Sequence, residues 1–345
     1  MKDTQAISQA LAEYIRRQSG ADQVTVLEFS RLSGGAIQSN YALTVECRGG
    51  SLAGTHALVV RSDSPSQVSV SLSRAQEFAV LCAAFQAGVT VPRPYWLCED
   101  ASLIGVPFCI MARVSGSANG RTLVRGGVSP LQAQALTAQL GTELARLHTI
   151  QPPNAGLSFL PVPHLPPAKA RVEQYRQALD QIPEPHPVME YALNWLHDNA
   201  PASATTVLCH CDFRTGNYMV DQGRLTGVLD WEFATWSDPY EDLGWLCSRS
   251  WRFGAFDKPV GGIGRKADLF RAYEQAGGFR VDPRTVSYWE VMALVRWAII
   301  ALQQAQRHLS GQEPSLELAL TGRMLPEMEY DMLNQINAIA KECYE

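Results

Sequence analysis

At 345 residues, with 46% hydrophobic and 18% charged side chains, the chain can bury one large core or two modest ones. A net charge of -5 with no basic stripe excludes nucleic acid and an anionic membrane surface as expected partners. The start, Met1-Lys-Asp-Thr-Gln-Ala-Ile, has no apolar signal core, and the longest aliphatic stretch, around 293–302, is interrupted by Arg296; the expectation is a cytoplasmic protein that spans no membrane. Eight cysteines in such a chain are expected to stay reduced. Cys209 and Cys211 would point to opposite faces of a strand, and no second pair of Cys or His has zinc-ligand spacing.

Residues 3–18 have helical spacing through Ile7, Leu11, Tyr14 and Ile15. From Val24 onward the pattern turns to strand, over 24–29, 41–46 and 56–61, with Ser33, Gly34 and Gly35 between the first two. A glycine-bearing turn there is by itself only a weak sign of a phosphate cradle, and a plain turn fits equally. A helix is predicted over 73–87, with Phe78, Leu81 and Phe85 on its apolar face and Glu77 in its first turns. Glu77 could then pair with Arg61 at the end of the third strand, the alternative being an exposed strand-end cation. Two more strands are predicted at 95–98 and 108–111. Ser129 as N-cap and Pro130 at the first helical position open a long helix over 131–149, with Leu136, Leu140, Leu144 and Leu147 on one face. His148 on that helix reads as a satisfied core histidine. A proline-rich connection over 152–167 leads to helices at 169–179 and 188–199.

The chemistry-bearing residues come next. In Leu208-Cys-His-Cys-Asp-Phe-Arg-Thr-Gly-Asn217, an apolar strand runs into a turn-rich loop that carries Asp212 and Asn217. Asp221-Gln-Gly223 is a hairpin signal, and the strand 224–230 folds Asp230 back beside Asn217, with Glu232 just beyond. Phosphoryl transfer needs this set: a carboxylate to orient or accept the proton of an acceptor hydroxyl, and oxygen ligands for Mg²⁺ on the phosphates. The plain alternative is a hairpin whose Asp and Asn cap turns.

H-x-D-x-x-x-x-N followed by D-x-E resembles the catalytic and metal loops of the aminoglycoside phosphotransferase and choline kinase superfamily. Val228-Leu-Asp-Trp-Glu-Phe-Ala-Thr235, then Ser237-Asp-Pro239 and Asp242-Leu-Gly-Trp245, looks most like the branch also found fused to acyl-CoA dehydrogenases. The resemblance covers about 31–311. It implies a two-lobed, protein-kinase-like α/β (α+β) fold: a nucleotide-binding lobe over 1–112, with antiparallel strands and one helix, and a larger, mostly helical catalytic and acceptor-binding lobe over 113–345. The hinge at 112–116 would offer backbone groups to an adenine edge. ATP and Mg²⁺ are the implied cofactors. Asp212 would be the catalytic base, Arg214 a basic group near the transferred phosphate, and Asn217 and Asp230 metal ligands, with Glu232 a weaker candidate. Ser33, Gly34, Gly35, Arg61, Glu77, Met111 and Arg113 would hold the nucleotide, and Asp242 would brace the catalytic loop. Two departures stand out. Arg61 occupies the place of the usual lysine, although arginine can clamp phosphate bidentately, and Cys211 replaces the usual glycine beside the base.

Aminoglycosides are polycations, and their kinases should match them with carboxylates. Between 251 and 310, nine cations (Arg252, Lys258, Arg265, Lys266, Arg271, Arg280, Arg284, Arg296, Arg307) face five acids (Asp257, Asp268, Glu274, Asp282, Glu290). The expected acceptor is therefore a neutral or anionic hydroxyl compound, such as a hydroxy acid, its thioester or a sugar derivative. The alternatives are an aminoglycoside O-phosphotransferase, a nucleotide-binding pseudokinase, motivated by Arg61 and Cys211, and a thiol enzyme using Cys211. Trp245, Trp251, Trp289 and Trp297 read as core rather than as a sugar platform.

Overall fold

The computed structural model describes residues 4–32, 39–62, 71–202, 205–277 and 279–342. Strands β1 (Gln23–Arg31), β2 (Ser39–Arg48) and β3 (Gly54–Ser62) pair antiparallel in chain order, and β5 (Phe108–Ala112) inserts between β3 and β4 (Pro94–Cys98). Helix α1 (Thr4–Ser19) lays Leu11 and Ile15 on one sheet face, against Leu43, Leu58, Val60 and Ile110. Helix α2 (Arg74–Gln86) covers the other with Val80, Leu81 and Ala84, against Cys109, Met111 and Val59. Period-two alternation along β3 thus sends Leu58 and Val60 toward α1, and Val59 and Arg61 toward α2.

Ser73 and Gln76 form a capping box at the start of α2. Its buried stripe runs through Glu77, Val80, Leu81 and Ala84. Phe85, expected on that face, falls at its margin in the last turn and is 42% exposed.

The larger lobe is mostly helical. Beyond the single-turn α3 (Gly120–Thr122), α4 (Pro130–Leu147) starts at the expected Ser129 cap and buries Leu136, Leu140, Leu144 and Leu147. Then come α5 (Pro167–Leu179) and α6 (Pro187–Asp198). Strand β6 (Val207–Cys209) pairs with β9 (Thr235–Ser237), and β7 (Tyr218–Asp221) with β8 (Arg224–Val228). The β7–β8 turn places Gln222 and Gly223 at φ 49° and 79°, the left-handed pair that a tight hairpin demands. β8 stops short of residue 230 because Asp230 itself adopts φ 68°. Helices α7 (Pro239–Cys247), α8 (Lys266–Gly277), α9 (Pro283–Leu309), α10 (Leu316–Gly322) and α11 (Leu325–Glu342) complete the lobe. By length and composition α9 could cross a membrane, but its most apolar stretch is 67% buried, and the helix packs on α5, α6, α7, α10 and α11. The seven described cysteines are all free; Cys343 lies outside the described residues.

This is a two-lobed kinase-like fold, with a small antiparallel lobe and a larger helical one. Its site depends on a close crossing of α7 and α9. A Cβ on Gly244 would sit 2.5 Å from Trp289 Cβ and 2.6 Å from the Trp289 carbonyl carbon. Gly244→Ala is expected to destabilise, because overpacking costs about 1–3 kcal/mol and generally exceeds the roughly 1 kcal/mol that alanine gains in a helix. Urea unfolding should show an earlier midpoint; an unchanged or later one would contradict the crossing.

Candidate active site

Beyond β6, the loop that carries Asp212 is pinned from below by α7. The backbone N–H groups of His210 and Cys211 donate to Asp242 Oδ2 and Oδ1 at 2.7 and 2.8 Å, the bracing contact expected for Asp242. Burial opposes charge on Asp242, but His148, His210 and the backbone donors outweigh it and hold the carboxyl below its ordinary range. His148 is a satisfied core histidine, with Nδ1 2.8 Å from the Tyr273 hydroxyl and Nε2 3.3 Å from Asp242.

His210 is a bracket between two loops. Its Nδ1 accepts the Asp212 N–H at 3.1 Å, so Nε2 carries the proton and donates to Leu229 O at 2.9 Å. Leu229 N–H in turn donates to Asn217 O at 2.8 Å. These bonds place Asp230 beside Asn217, as the hairpin pattern suggested.

Cys211 has φ 59°, a left-handed conformation that accounts for the glycine usual at this place. Arg296, reaching from α9, donates to its carbonyl, and Arg171 Nη2 lies 3.5 Å from its sulfur. Burial, with the charge of Glu241, pushes the Cys211 thiol well above its usual value. Both ring nitrogens of His210 are already committed. A thiol raised in this way, beside a histidine whose nitrogens are both engaged, is poorly suited to act as a nucleophile.

The buried Asp212 carboxylate is held by three side-chain donors. Oδ1 accepts Trp245 Nε1–H at 2.9 Å and Arg214 Nε–H at 3.1 Å; Oδ2 accepts Asn217 Nδ2–H at 2.5 Å. Asn217 Nδ2 also reaches Asp212 O at 3.0 Å. The amide hydrogens of Asn217 thus go to Asp212, leaving its Oδ1 as the atom it can offer to a cation. The Arg214 guanidinium lies 4.6 Å over the Trp251 ring.

Arg61 Nη2 stands 2.7 Å from Glu77 Oε1 and 2.6 Å from Asp230 Oδ1, and Arg74 holds the other Glu77 oxygen at 2.5 Å. Glu232 is buried close by. Burial, then the charge of Asp230, push its carboxyl up to about 7. Two arginines meet three carboxylates here, and hard oxygen donors are available from Asn217 Oδ1 and from Asp230, which is 34% exposed. This donor set fits Mg²⁺.

Other expected nucleotide contacts do not gather here. Met111 is packed under α2 in the core. Arg113 turns its guanidinium toward Glu28 and Thr44, both at 3.3 Å. The N–H groups of Ala112 and Arg113 donate to Arg93 O and Ala57 O, because β5 keeps its pairing to the end, so neither is open to an adenine edge. Ser33, Gly34 and Gly35 lie outside the described residues. Sequence reasoning missed the contacts of Trp245 and Arg296. Both left a signal: Trp245 follows Asp242 by one helical turn, and Arg296 is a lone cation in an apolar run.

The left-handed backbone at 211 yields a test. Cys211→Gly should fold with stability within about 1 kcal/mol of the parent, since relief of strain and loss of the buried side chain offset. Cys211→Val, β-branched at positive φ, should lose about 2 kcal/mol or more. Thermal unfolding with valine tolerated as well as glycine would contradict this geometry.

The sequence matches the phosphotransferase enzyme family (APH) over residues 28–279. Acyl-CoA dehydrogenase family member 10 of Mus musculus is 28% identical over 348 residues, covering 95% of this chain and 31% of that protein. Member 11 of Rattus norvegicus is 28% identical over 88% of this chain and 39% of that protein. The chain thus spans about a third of the length of these relatives. Among solved structures, a Ralstonia eutropha protein described as an aminoglycoside phosphotransferase superposes with TM-score 0.76 at 25% identity, covering 96% of this chain and 98% of that one. Aminoglycoside 2'-phosphotransferase-IIIa in its GDP complex shares the fold at TM-score 0.61 and 16% identity, over 94% and 99% of the two chains. With the family matched from the second half of β1 to the start of the segment before α9, this chain belongs to the phosphotransferase enzyme family.

Proposed function

We propose that the protein is an ATP-dependent small-molecule kinase that moves the γ-phosphate to a hydroxyl of a neutral or anionic metabolite, with Mg²⁺. The observation that carries this reading is the Asp212 carboxylate, held by Trp245, Arg214 and Asn217 with Asp230 beside it. Transfer forms a bond from the acceptor oxygen to the γ-phosphorus and breaks the bond to the β–γ bridging oxygen, whose electrons leave with ADP. The acceptor proton passes to Asp212. Oδ1 already takes two donors and Oδ2 one, so Oδ2 is the oxygen with room for it. Asn217 Oδ1 and Asp230 would hold Mg²⁺, which when bound neutralises charge on the phosphate oxygens. Arg61, between Glu77 and Asp230, is the cation suited to grip phosphates. The pairing of Arg61 and the presence of Asp212, Asn217 and Asp230 favour an active kinase over a pseudokinase.

The acceptor class rests on Arg214. Several of the nine cations counted between 251 and 310 are locally neutralised: Arg252 and Lys266 by Glu290, Arg265 and Arg271 by Asp268, and Arg307 by Glu313. Arg214 is itself paired with Asp212 Oδ1 at 3.1 Å, but its side chain keeps 27% exposure beside the base. A polycationic amine approaching Asp212 would meet that guanidinium, whereas a neutral or anionic hydroxyl compound would not be repelled.

Asp212→Ala should lower transfer by about 10²–10⁴-fold while nucleotide binding persists; turnover within about threefold of the parent would remove Asp212 from the chemistry. Asn217→Ala and Asp230→Ala should each raise the Mg²⁺ concentration needed for half activity, and an unchanged metal titration in both would overturn the metal assignment. In steady-state assays, hydroxy acids, their thioesters and sugar derivatives should outperform aminoglycosides. An aminoglycoside turned over with kcat/KM above about 10⁴ M⁻¹s⁻¹ would reverse the acceptor assignment.

A further inference from the structure

We propose that Trp245 is a positioning residue for the transfer reaction: its indole N–H fixes the orientation of the Asp212 carboxylate so that Oδ2 is the oxygen left for the acceptor. The inference rests on the function proposed above. It begins with α7, which grips the catalytic loop twice. Asp242 takes the backbone N–H groups of His210 and Cys211, and Trp245, one turn later on the same helix, donates to the Asp212 side chain at 2.9 Å. One rigid element therefore sets both the backbone next to the base and the base itself.

The indole has little freedom to do otherwise. Trp245 is buried, its ring faces the Arg296 guanidinium at 4.4 Å, and Trp251 packs against it at 5.0 Å. Arg296 is anchored in turn on the Cys211 carbonyl. A cation over the ring draws on its π electrons and favours the N–H as a donor. An indole can only donate, so the contact suits a carboxylate that must keep accepting.

Two comparisons inside the molecule separate this contact from ordinary core packing. Arg214 gives Oδ1 its other donor, but at 27% exposure it is open to competition from an incoming anion; Trp245 is the buried donor. The buried indoles of Trp231 and Trp236 donate to backbone carbonyls, and the Nε1 atoms of Trp251, Trp289 and Trp297 have no hydrogen-bond partner among the described residues. Burial of a tryptophan in this lobe does not by itself place its N–H on a carboxylate.

Trp245→Phe keeps an aromatic ring, though a smaller one, and removes the donor. In the full chain it should lower kcat by roughly 10–100-fold with the KM for ATP unchanged, the signature of a misaligned base. If the indole acts through Asp212, adding Trp245→Phe to Asp212→Asn should cost little further residual rate, whereas a core filler would give losses that multiply. A readout independent of turnover is the indole N–H resonance of Trp245, assigned by its disappearance in Trp245→Phe, which should move in Asp212→Asn. Should Trp245→Phe fail to fold, the benzothienyl analogue of tryptophan at 245, with sulfur in place of N–H, carries the same expectations. A kcat within about threefold of the parent, multiplying losses, or an indole resonance indifferent to Asp212→Asn would overturn the proposal. A parent protein that transfers phosphate to no acceptor would instead sink the proposed function, and the resonance would still report on the contact.

Discussion

A buried carboxylate that accepts two consecutive backbone N–H groups is the constraint on which the rest of the site depends. Asp242 has no exposure to water and would be costly to bury unpaired, yet it takes the N–H groups of His210 and Cys211 and lies within reach of His148. That satisfaction fixes the turn in which Cys211 must be left-handed, and the turn aims Asp212. The histidine before it carries the constraint onward: one nitrogen accepts from Asp212 N–H, and the other donates to Leu229 O, just before Asp230. A single charge on α7 is thus linked through backbone bonds to both loops.

Electrostatics explain the second half of the arrangement. Arg61 leaves β3 on the face that looks at α2, meets Glu77 there, and also reaches Asp230 across the lobes. Glu232 is buried alongside, its carboxyl pushed up to about 7 first by burial and then by Asp230, so Arg61 and Arg74 stand against three carboxylates of which one resists ionising. A site built this way is suited to a divalent cation.

Much of this was legible in the chain because it is local. The cap at Ser129, the turn at Gln222 and Gly223, and the alternation that sends Arg61 toward α2 each follow from a few neighbouring residues. The spacing of Asp212, Asn217 and Asp230 was informative because a hairpin converts sequence distance into proximity. What escaped was set by tertiary approach. Arg296 stands out as a lone cation in an apolar run, but its place over Trp245 requires α9 to cross α7 at Gly244. The direction of Arg113 is likewise set by tertiary approach, toward Glu28 and Thr44 on strands far away in sequence. Phe85 erred by a fraction of a helical turn, which is enough to move a ring from the core to its rim.

We propose that Asn217 and Asp230 hold the cation opposite Asp212. This assignment is tested most directly by anomalous diffraction from a complex with Mn²⁺ and a non-hydrolysable ATP analogue. The expected result is a manganese peak at ligand distance, about 2.0–2.2 Å, from Asn217 Oδ1 and an Asp230 oxygen, with Arg61 turned from Asp230 toward the phosphates. A peak bound to neither residue, with Arg61 still paired to Asp230, would contradict it.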